Sequence, residues 1–253
     1  GDPLRWVGNS AVVFKIRCGS RYKMLKCYTR PMEHLEAIYQ EKLLRQELYV
    51  WQADGQGEWC DVVVDDWIEG ITLYESVMRS ADSGDKAHLS NLARQFDRLA
   101  LELLESDWAH GDLKPENILL DESGTLRPVD FDAMFLPVFA GEKSPELGTA
   151  AYQHPGRTAE DFDASIDDYS IATISTTLHA LALEPGLLAR YNRGEGLLLS
   201  PRKIVRHGCA ARAECLALFE KAGDAVRYRI ARLLESPLMR LPNLKPLDRK
   251  SVV

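Results

Sequence analysis

No stretch of 18 consecutive apolar residues occurs in the 253-residue chain, so the sequence holds no membrane-spanning helix. Its first residues, Gly1-Asp2-Pro3-Leu4, lack the basic stretch and apolar run of a secretory signal. Cysteine is sparse: Cys18, Cys27, Cys60, Cys209 and Cys215 form an odd set without a Cys-x-x-Cys pair. That pattern excludes a disulfide framework and a zinc site. The thiols are expected as reduced core residues of a cytoplasmic protein. His110 and His154 have no His or Cys at ligand spacing, which removes the remaining transition-metal candidates. Internal repeats are absent as well.

What is present is an ordinary globular mixture, 45% hydrophobic and 27% charged. A chain of this length makes one large domain or one domain folded as two lobes, and buries about 70–75% of its unfolded surface. The net charge of −7 is unevenly spread. Residues 71–170 hold 8 Lys/Arg against 20 Asp/Glu, whereas residues 171–253 hold 14 against 7. The acidic middle excludes a nucleic-acid groove there, and the basic last third is either a solvated surface or an attraction for an acidic partner.

Along the chain, Ala11–Ile16 and Tyr22–Tyr28 are β-rich runs flanking the turn residues Gly19-Ser20, which predicts a hairpin. After Pro31, the spacing of Leu35, Ile38, Leu43 and Leu44 predicts a helix with one apolar face. Asp54-Gly55-Gln56-Gly57 reads as a turn and Asp61–Val64 as a short strand. Beyond residue 70 the pattern becomes helical. Leu89, Leu92, Phe96, Leu99 and Leu103 mark an amphipathic helix, Ile171–Leu183 a helix buried all round, and residues 212–221 and 224–235 two more.

The strongest chemical signal is His110-Gly111-Asp112-Leu113-Lys114-Pro115-Glu116-Asn117-Ile118-Leu119-Leu120, followed by Val129-Asp130-Phe131-Asp132. An acid, an amide five residues later and a second acid behind a short hairpin supply hard oxygen donors of the kind Mg²⁺ prefers. One carboxylate remains to orient a hydroxyl nucleophile.

On these residues the chain resembles the protein kinases, most closely the Ser/Thr type, with some bacterial members similar between Asp130 and Pro155. The resemblance runs from about residue 4 to residue 235. It implies an α+β, bilobal, protein-kinase-like fold: a β-rich N-lobe with one helix over residues 1–69, a larger, mainly helical C-lobe over 70–236, and an extended tail or linker over 237–253. It also implies ATP and Mg²⁺, with a Ser/Thr hydroxyl of a protein as acceptor. On that basis Asp112 is the catalytic base, Lys114 contacts the γ-phosphate, and Asn117 and Asp130 are the Mg²⁺ ligands. Lys26, in Met24-Leu25-Lys26-Cys27, pairs with the α/β-phosphates, and Gly8, Ser10, Ala11 and Val13 line the nucleotide-covering strands. The helix glutamate partnering Lys26 is Glu41, with Glu36 as the alternative. Gly148-Thr149-Ala150-Ala151-Tyr152-Gln153-His154-Pro155 resembles the end of an activation segment, where Thr149 contacts the catalytic loop. Asp167 is the residue that braces that loop.

Four departures stand out. The loop Trp6-Val7-Gly8-Asn9-Ser10-Ala11-Val12-Val13 has one glycine where the family has three, and Gly111 replaces an Arg that in many kinases clamps a phosphate on the activation segment. Asp132 replaces a Gly and is expected to stiffen the chain after Phe131, because Asp reaches positive φ only at a cost. Gly156 replaces the Glu that ends the segment, removing an ion-pair anchor. Between Asp130 and Gly148 the only hydroxyl residue is Ser144, while Met134, Phe135, Leu136, Val138 and Phe139 either order the segment by burial or form a docking surface. The departures leave two readings open beside an active protein kinase: a pseudokinase serving as a nucleotide-binding or scaffold module, and an aminoglycoside- or choline-type small-molecule kinase. Lys114-Pro115-Glu116 and the Gly148–Pro155 segment argue against the second of these.

Overall fold

The hairpin predicted around Gly19 forms as β2 (Ala11–Cys18) and β3 (Arg21–Tyr28), following a short β1 (Arg5–Val7). In this computed structural model, residues 5–8, 10–51, 55–192, 194 and 196–237 are described. Gly19 takes φ +62°, which the tight two-residue turn requires and only glycine adopts freely. Then come α1 (Leu35–Tyr39), β4 (Leu43–Trp51) and β5 (Gly57–Asp66). The strands form one antiparallel sheet in the order β1-β2-β3-β5-β4. Ala11, Tyr28, Leu35, Tyr39 and Val63 make its core. Part of the turn expected at Asp54–Gly57 lies outside the described residues.

The helix predicted from Leu35 through Leu44 is corrected by the structure. It stops after five residues, where Gln40 swings to φ +49°, and a single 3-10 turn over Gln40–Lys42 leads into β4. Leu43 and Leu44 pair with Val63 and Val62 of β5 instead of continuing a helical face. The cause is the sequence downstream. Leu48-Tyr49-Val50-Trp51 is rich in β-formers, and cross-strand packing against β5 outweighs a helical pattern of four apolar positions. As the edge strand, β4 helps to expose an aromatic cluster: the Tyr49 ring lies 5.0 Å from Trp51 and 5.2 Å from Trp59. Trp51 is 71% exposed, Trp59 58% and Trp6 50%.

The chain divides after Glu69 into two units, Gly1–Glu69 and Gly70–Val253. The second opens with β6 (Gly70–Thr72) and α2 (Leu73–Ser83), whose start is capped by Thr72 Oγ1 accepting from the Glu75 N–H. In α3 (Lys86–Glu105) the predicted stripe Leu89, Leu92, Phe96, Leu99 and Leu103 is buried throughout. β7 (Ile118–Asp121) and β8 (Leu126–Pro128) complete a three-stranded sheet with β6. The remaining helices are α4 (Asp168–Leu183), α5 (Leu187–Tyr191), α6 (Pro201–Val205), α7 (Ala210–Ala222) and α8 (Ala225–Leu233). As predicted, α4 is buried nearly all round.

A buried ionic cluster ties three of these helices together. Asp97 of α3 accepts from Arg227 of α8, from Ser175 Oγ of α4 at 3.2 Å and pairs with His179 Nε2 of α4 at 2.9 Å. Arg212 of α7 is likewise buried and bonds Glu235. Two arginines of the basic last third are therefore neutralised inside the fold. Among the described residues no helix is long and apolar enough to cross a membrane. All five cysteines are free, but Cys18 is exposed and so departs from the expected core position. The predicted tail, from residue 238 on, lies outside the described residues.

Candidate active site

The loop between α3 and β7 carries the His110–Asn117 motif, and three groups of backbone contacts fix it. Ala109 and Phe135 exchange both backbone hydrogen bonds, at 2.9 and 3.1 Å. The Asp167 carboxylate accepts from the N–H groups of His110 and Gly111. Burial pushes the Asp167 carboxyl up, while the His110 and Gly111 donors and the charge of Arg157 hold it down. The fully buried His110 ring donates from Nε2 to Val129 O at 2.8 Å and accepts the Asp112 N–H on Nδ1, which fixes one neutral tautomer. Phe131 packs against that ring with centroids 5.0 Å apart and planes tilted by 41°.

Asp112 sits at the convergence of these contacts. Its Oδ1 accepts the Thr149 N–H at 2.6 Å, and its Oδ2 accepts Lys114 Nζ at 2.8 Å. Lys114 Nζ also donates to Thr149 Oγ1 at 2.9 Å, so one ammonium bridges the His110–Asn117 loop and the segment containing Thr149. Asn117 donates from Nδ2 to Asp112 O at 3.0 Å, and its amide oxygen accepts no hydrogen bond from a described residue. The Val129 N–H donates to Asn117 O at 2.9 Å, so Asp130 follows directly from the strand beside Asn117.

An amide oxygen and an exposed carboxylate on neighbouring strand ends form a donor set that fits Mg²⁺, which takes few protein oxygens and fills its shell with water and phosphate. Among the described residues no group of three or more His, Cys, Asp or Glu could hold a metal ion. The stiffening expected after Phe131 rested on a positive φ at Asp132, and the positive φ falls elsewhere. Asp130 carries φ +68°, while Asp132 is buried and has no positive φ. The turn that glycine would relax therefore precedes Phe131, and Asp tolerates left-handed backbone better than most residues.

In the first unit, Lys26 is 4% exposed, with its ammonium 5.4 Å from the Tyr28 ring centroid. Val13 and Val63 stand opposite it in register, so the three share one face of the sheet. Ala11 is buried opposite Tyr28, Ser10 accepts the Thr29 N–H on its carbonyl, and the Gly8 N–H closes the preceding turn onto Ala11 O at 2.9 Å. Asn9 lies outside the described residues. Glu41 is exposed on the 3-10 turn, and Glu36 is exposed with its carboxylate 3.5 Å from Arg45.

The stretch that resembles an activation segment is packed in part by burial. Phe135 and Phe139 are buried against Phe162, at centroid distances of 5.1 and 6.2 Å. Val138 stays 70% exposed and does not share in this. Two residues that sequence reasoning passed over, Gln153 and Arg157, are buried at the catalytic loop. Arg157 donates from Nη1 to Gly111 O at 2.9 Å and to Gln153 Oε1 at 2.7 Å. The one available signal was a basic residue just past the segment whose partner Arg had been lost at position 111.

No protein-family model matches the chain. It is 29% identical over 143 residues to the serine/threonine-protein kinase hal4 of Schizosaccharomyces pombe, covering 54% of this chain and 21% of that one. It is 30% identical over 188 residues to the putative CBL-interacting protein kinase 27 of Oryza sativa subsp. japonica, covering 68% of this chain and 44% of that one. The chain thus spans less than half the length of either relative. With its β-rich first unit, its helical second unit and these similarities, the chain is protein-kinase-like.

Proposed function

We propose that the protein transfers the γ-phosphoryl group of ATP to a Ser or Thr hydroxyl of a protein substrate, in a Mg²⁺-dependent reaction. The observation that carries this reading is the setting of Asp112, whose two oxygens are held by the Thr149 N–H and the Lys114 ammonium beside Asn117. In that setting the Asp112 carboxylate accepts the proton of the attacking hydroxyl as the new O–P bond forms and the bond to the leaving ADP breaks. Lys114 lies close enough to neutralise charge on the transferred group once substrate displaces it from Asp112. Asn117 and Asp130 would hold Mg²⁺, which when bound neutralises phosphate charge. Lys26 supplies a buried ammonium for a nucleotide phosphate. A protein acceptor is favoured by the ordered segment through Thr149. The catalysis asked of the chain is positioning and charge neutralisation, with little covalent chemistry.

The glycine-poor loop at Gly8 favours a second reading, a pseudokinase that keeps nucleotide binding without transfer. Labelled ATP separates the two. Under the first reading, wild type with Mg²⁺ labels a generic protein substrate on Ser or Thr, and neither Mg²⁺-free wild type nor Asp112→Asn does so. Nucleotide binding with no transfer by wild type would select the pseudokinase.

A further inference from the structure

Gly111 is packed where no side chain fits. It holds φ +81°, and a Cβ there would lie 2.0 Å from Ala133 O. Gly148, at φ +69°, is in the same condition, since a Cβ on it would lie 2.7 Å from Gly111 O and 3.1 Å from Asp112 Oδ1. Two stretches of the activation segment thus press directly on the backbone of the catalytic loop, and an Arg at position 111 is sterically excluded.

A guanidinium reaches the same place from another direction. Arg157 is 7% exposed and bonds four acceptors: Gly111 O at 2.9 Å, Gln153 Oε1 at 2.7 Å, Ser144 Oγ at 3.3 Å and Glu146 O at 3.4 Å. Gly111 O belongs to the catalytic loop, while Ser144 and Glu146 belong to the activation segment, two to four residues before Gly148. Gln153 also donates to Gly111 O at 3.4 Å and to Ser170 Oγ at 3.3 Å, seating this cluster on α4. Arg157 forms no ion pair with a described carboxylate, and its Nε has no hydrogen-bond partner among them. A guanidinium stays protonated even when buried; burial opposes its charge and the nearby carboxylates of Asp167, Asp112 and Asp161 favour it, while all four of its hydrogen-bond acceptors are neutral. It joins, through one planar group, the peptide that leads into Asp112 and the stretch that leads into Thr149. Ser144, the one hydroxyl residue between Asp130 and Gly148, is buried with its Oγ donating to Glu146 O at 2.6 Å, so it is used within the fold.

We infer that Arg157 is a positioning residue that locks residues 144–149 onto the catalytic loop without a phosphate, through the carbonyl of Gly111. This rests on Asp112 being the catalytic base proposed above. It makes the segment permanently ordered, with regulation by phosphate at Ser144 removed.

The test compares wild type, phosphatase-treated wild type, Arg157→Lys and Arg157→Met. Amide exchange is read at Ser144 and Thr149 and, as reference, in α3 and α4; kcat and the KM for ATP are measured alongside. In Arg157→Met the Thr149 amide exchanges roughly tenfold faster or more, as expected for the loss of charge-assisted hydrogen bonds, while α3 and α4 amides are unchanged. Its kcat falls with the KM for ATP unchanged, Arg157→Lys recovers part of both, and phosphatase changes nothing. The proposal is overturned if Thr149 exchange is the same in Arg157→Met, or if exchange rises equally in α3 and α4, which would mark a merely structural arginine. It is overturned too if phosphatase alone loosens Thr149, since Arg157 would then be a phosphate clamp. If wild type transfers no phosphoryl group, the kinase reading fails on that result, while the exchange measurements still decide the lock.

Discussion

The two units of this chain carry their chemistry in different ways. In the second, Asp112, Lys114, Asn117, Thr149 and Asp167 sit in a web of hydrogen bonds among side chains and backbone, and two glycines at that site, Gly111 and Gly148, are packed too tightly for any Cβ. In the first, one buried lysine stands on a sheet face between Val13 and Val63, and the preceding loop has a single glycine. A site built from interlocked contacts constrains every residue that touches it. A site built from one side chain on a regular strand constrains little beyond that side chain.

The largest effect expected is at the centre of the interlocked site. Asp112→Asn keeps the shape and one acceptor but loses the base, and should lower kcat by about 10²–10⁴-fold with the melting temperature little changed. A variant with wild-type turnover would remove the chemical basis of the comparison. Next comes the buried ionic cluster that joins α3, α4 and α8. Arg227→Met leaves Asp97 buried with His179 and Ser175 and without its guanidinium. It should cost about 3–5 kcal/mol of unfolding free energy by denaturant titration, as breaking one side of a buried pair does. A loss below 1 kcal/mol, on the scale of an exposed pair, would show that the second unit is less interdependent than its contacts imply.

Gly111→Ala comes third. The left-handed φ and the 2.0 Å approach to Ala133 O together should lower stability by about 2–4 kcal/mol. A neutral result would mean that the segment yields to a methyl group. In the first unit, Lys26→Met should reduce kcat/KM for ATP by about tenfold or more, a loss of roughly 1.4 kcal/mol. No change there would mean that the sheet contributes shape alone. The smallest and most local reading comes from thiols. Burial raises Cys27 to about 11 and Cys215 to about 12, so at pH 8 alkylation should mark exposed Cys18 and spare both until their surroundings open. Cys27 should then be labelled before Cys215, which has no exposed surface; the reverse order would invert the contrast between the units.

How much of this was legible in sequence depends on how local each feature is. The run from His110 to Leu120 was readable because its roles fall at short, fixed spacings, and the stripe from Leu89 to Leu103 because helical periodicity is strong over five turns. The span from Leu35 to Leu44 was misread because its apparent helical face ends where β5 supplies a better partner, and β5 follows later in the chain. The stiffening expected after Phe131 rested on a positive φ at Asp132, and the positive φ is found at Asp130, a difference of two residues that no local sequence pattern resolves. The bond from Arg157 to Gly111 O and the pair Asp97–Arg227 left no local pattern, because they join residues 46 and 130 positions apart that only the folded chain brings together.

The exposed aromatic cluster on the sheet has an optical consequence. Four of the five tryptophans, Trp6, Trp51, Trp59 and Trp67, belong to the first unit, and Trp108 alone belongs to the second. Intrinsic emission therefore reports chiefly on the sheet, and with Trp51, Trp59 and Trp6 half or more in water it should lie well to the red even in the native state. Far-ultraviolet dichroism, by contrast, is dominated by α2, α3, α4, α7 and α8 of the second unit. The two signals watch different halves of the chain. Coincident transitions in denaturant would show that the halves melt as one cooperative system, and separated transitions would give each half its own free energy.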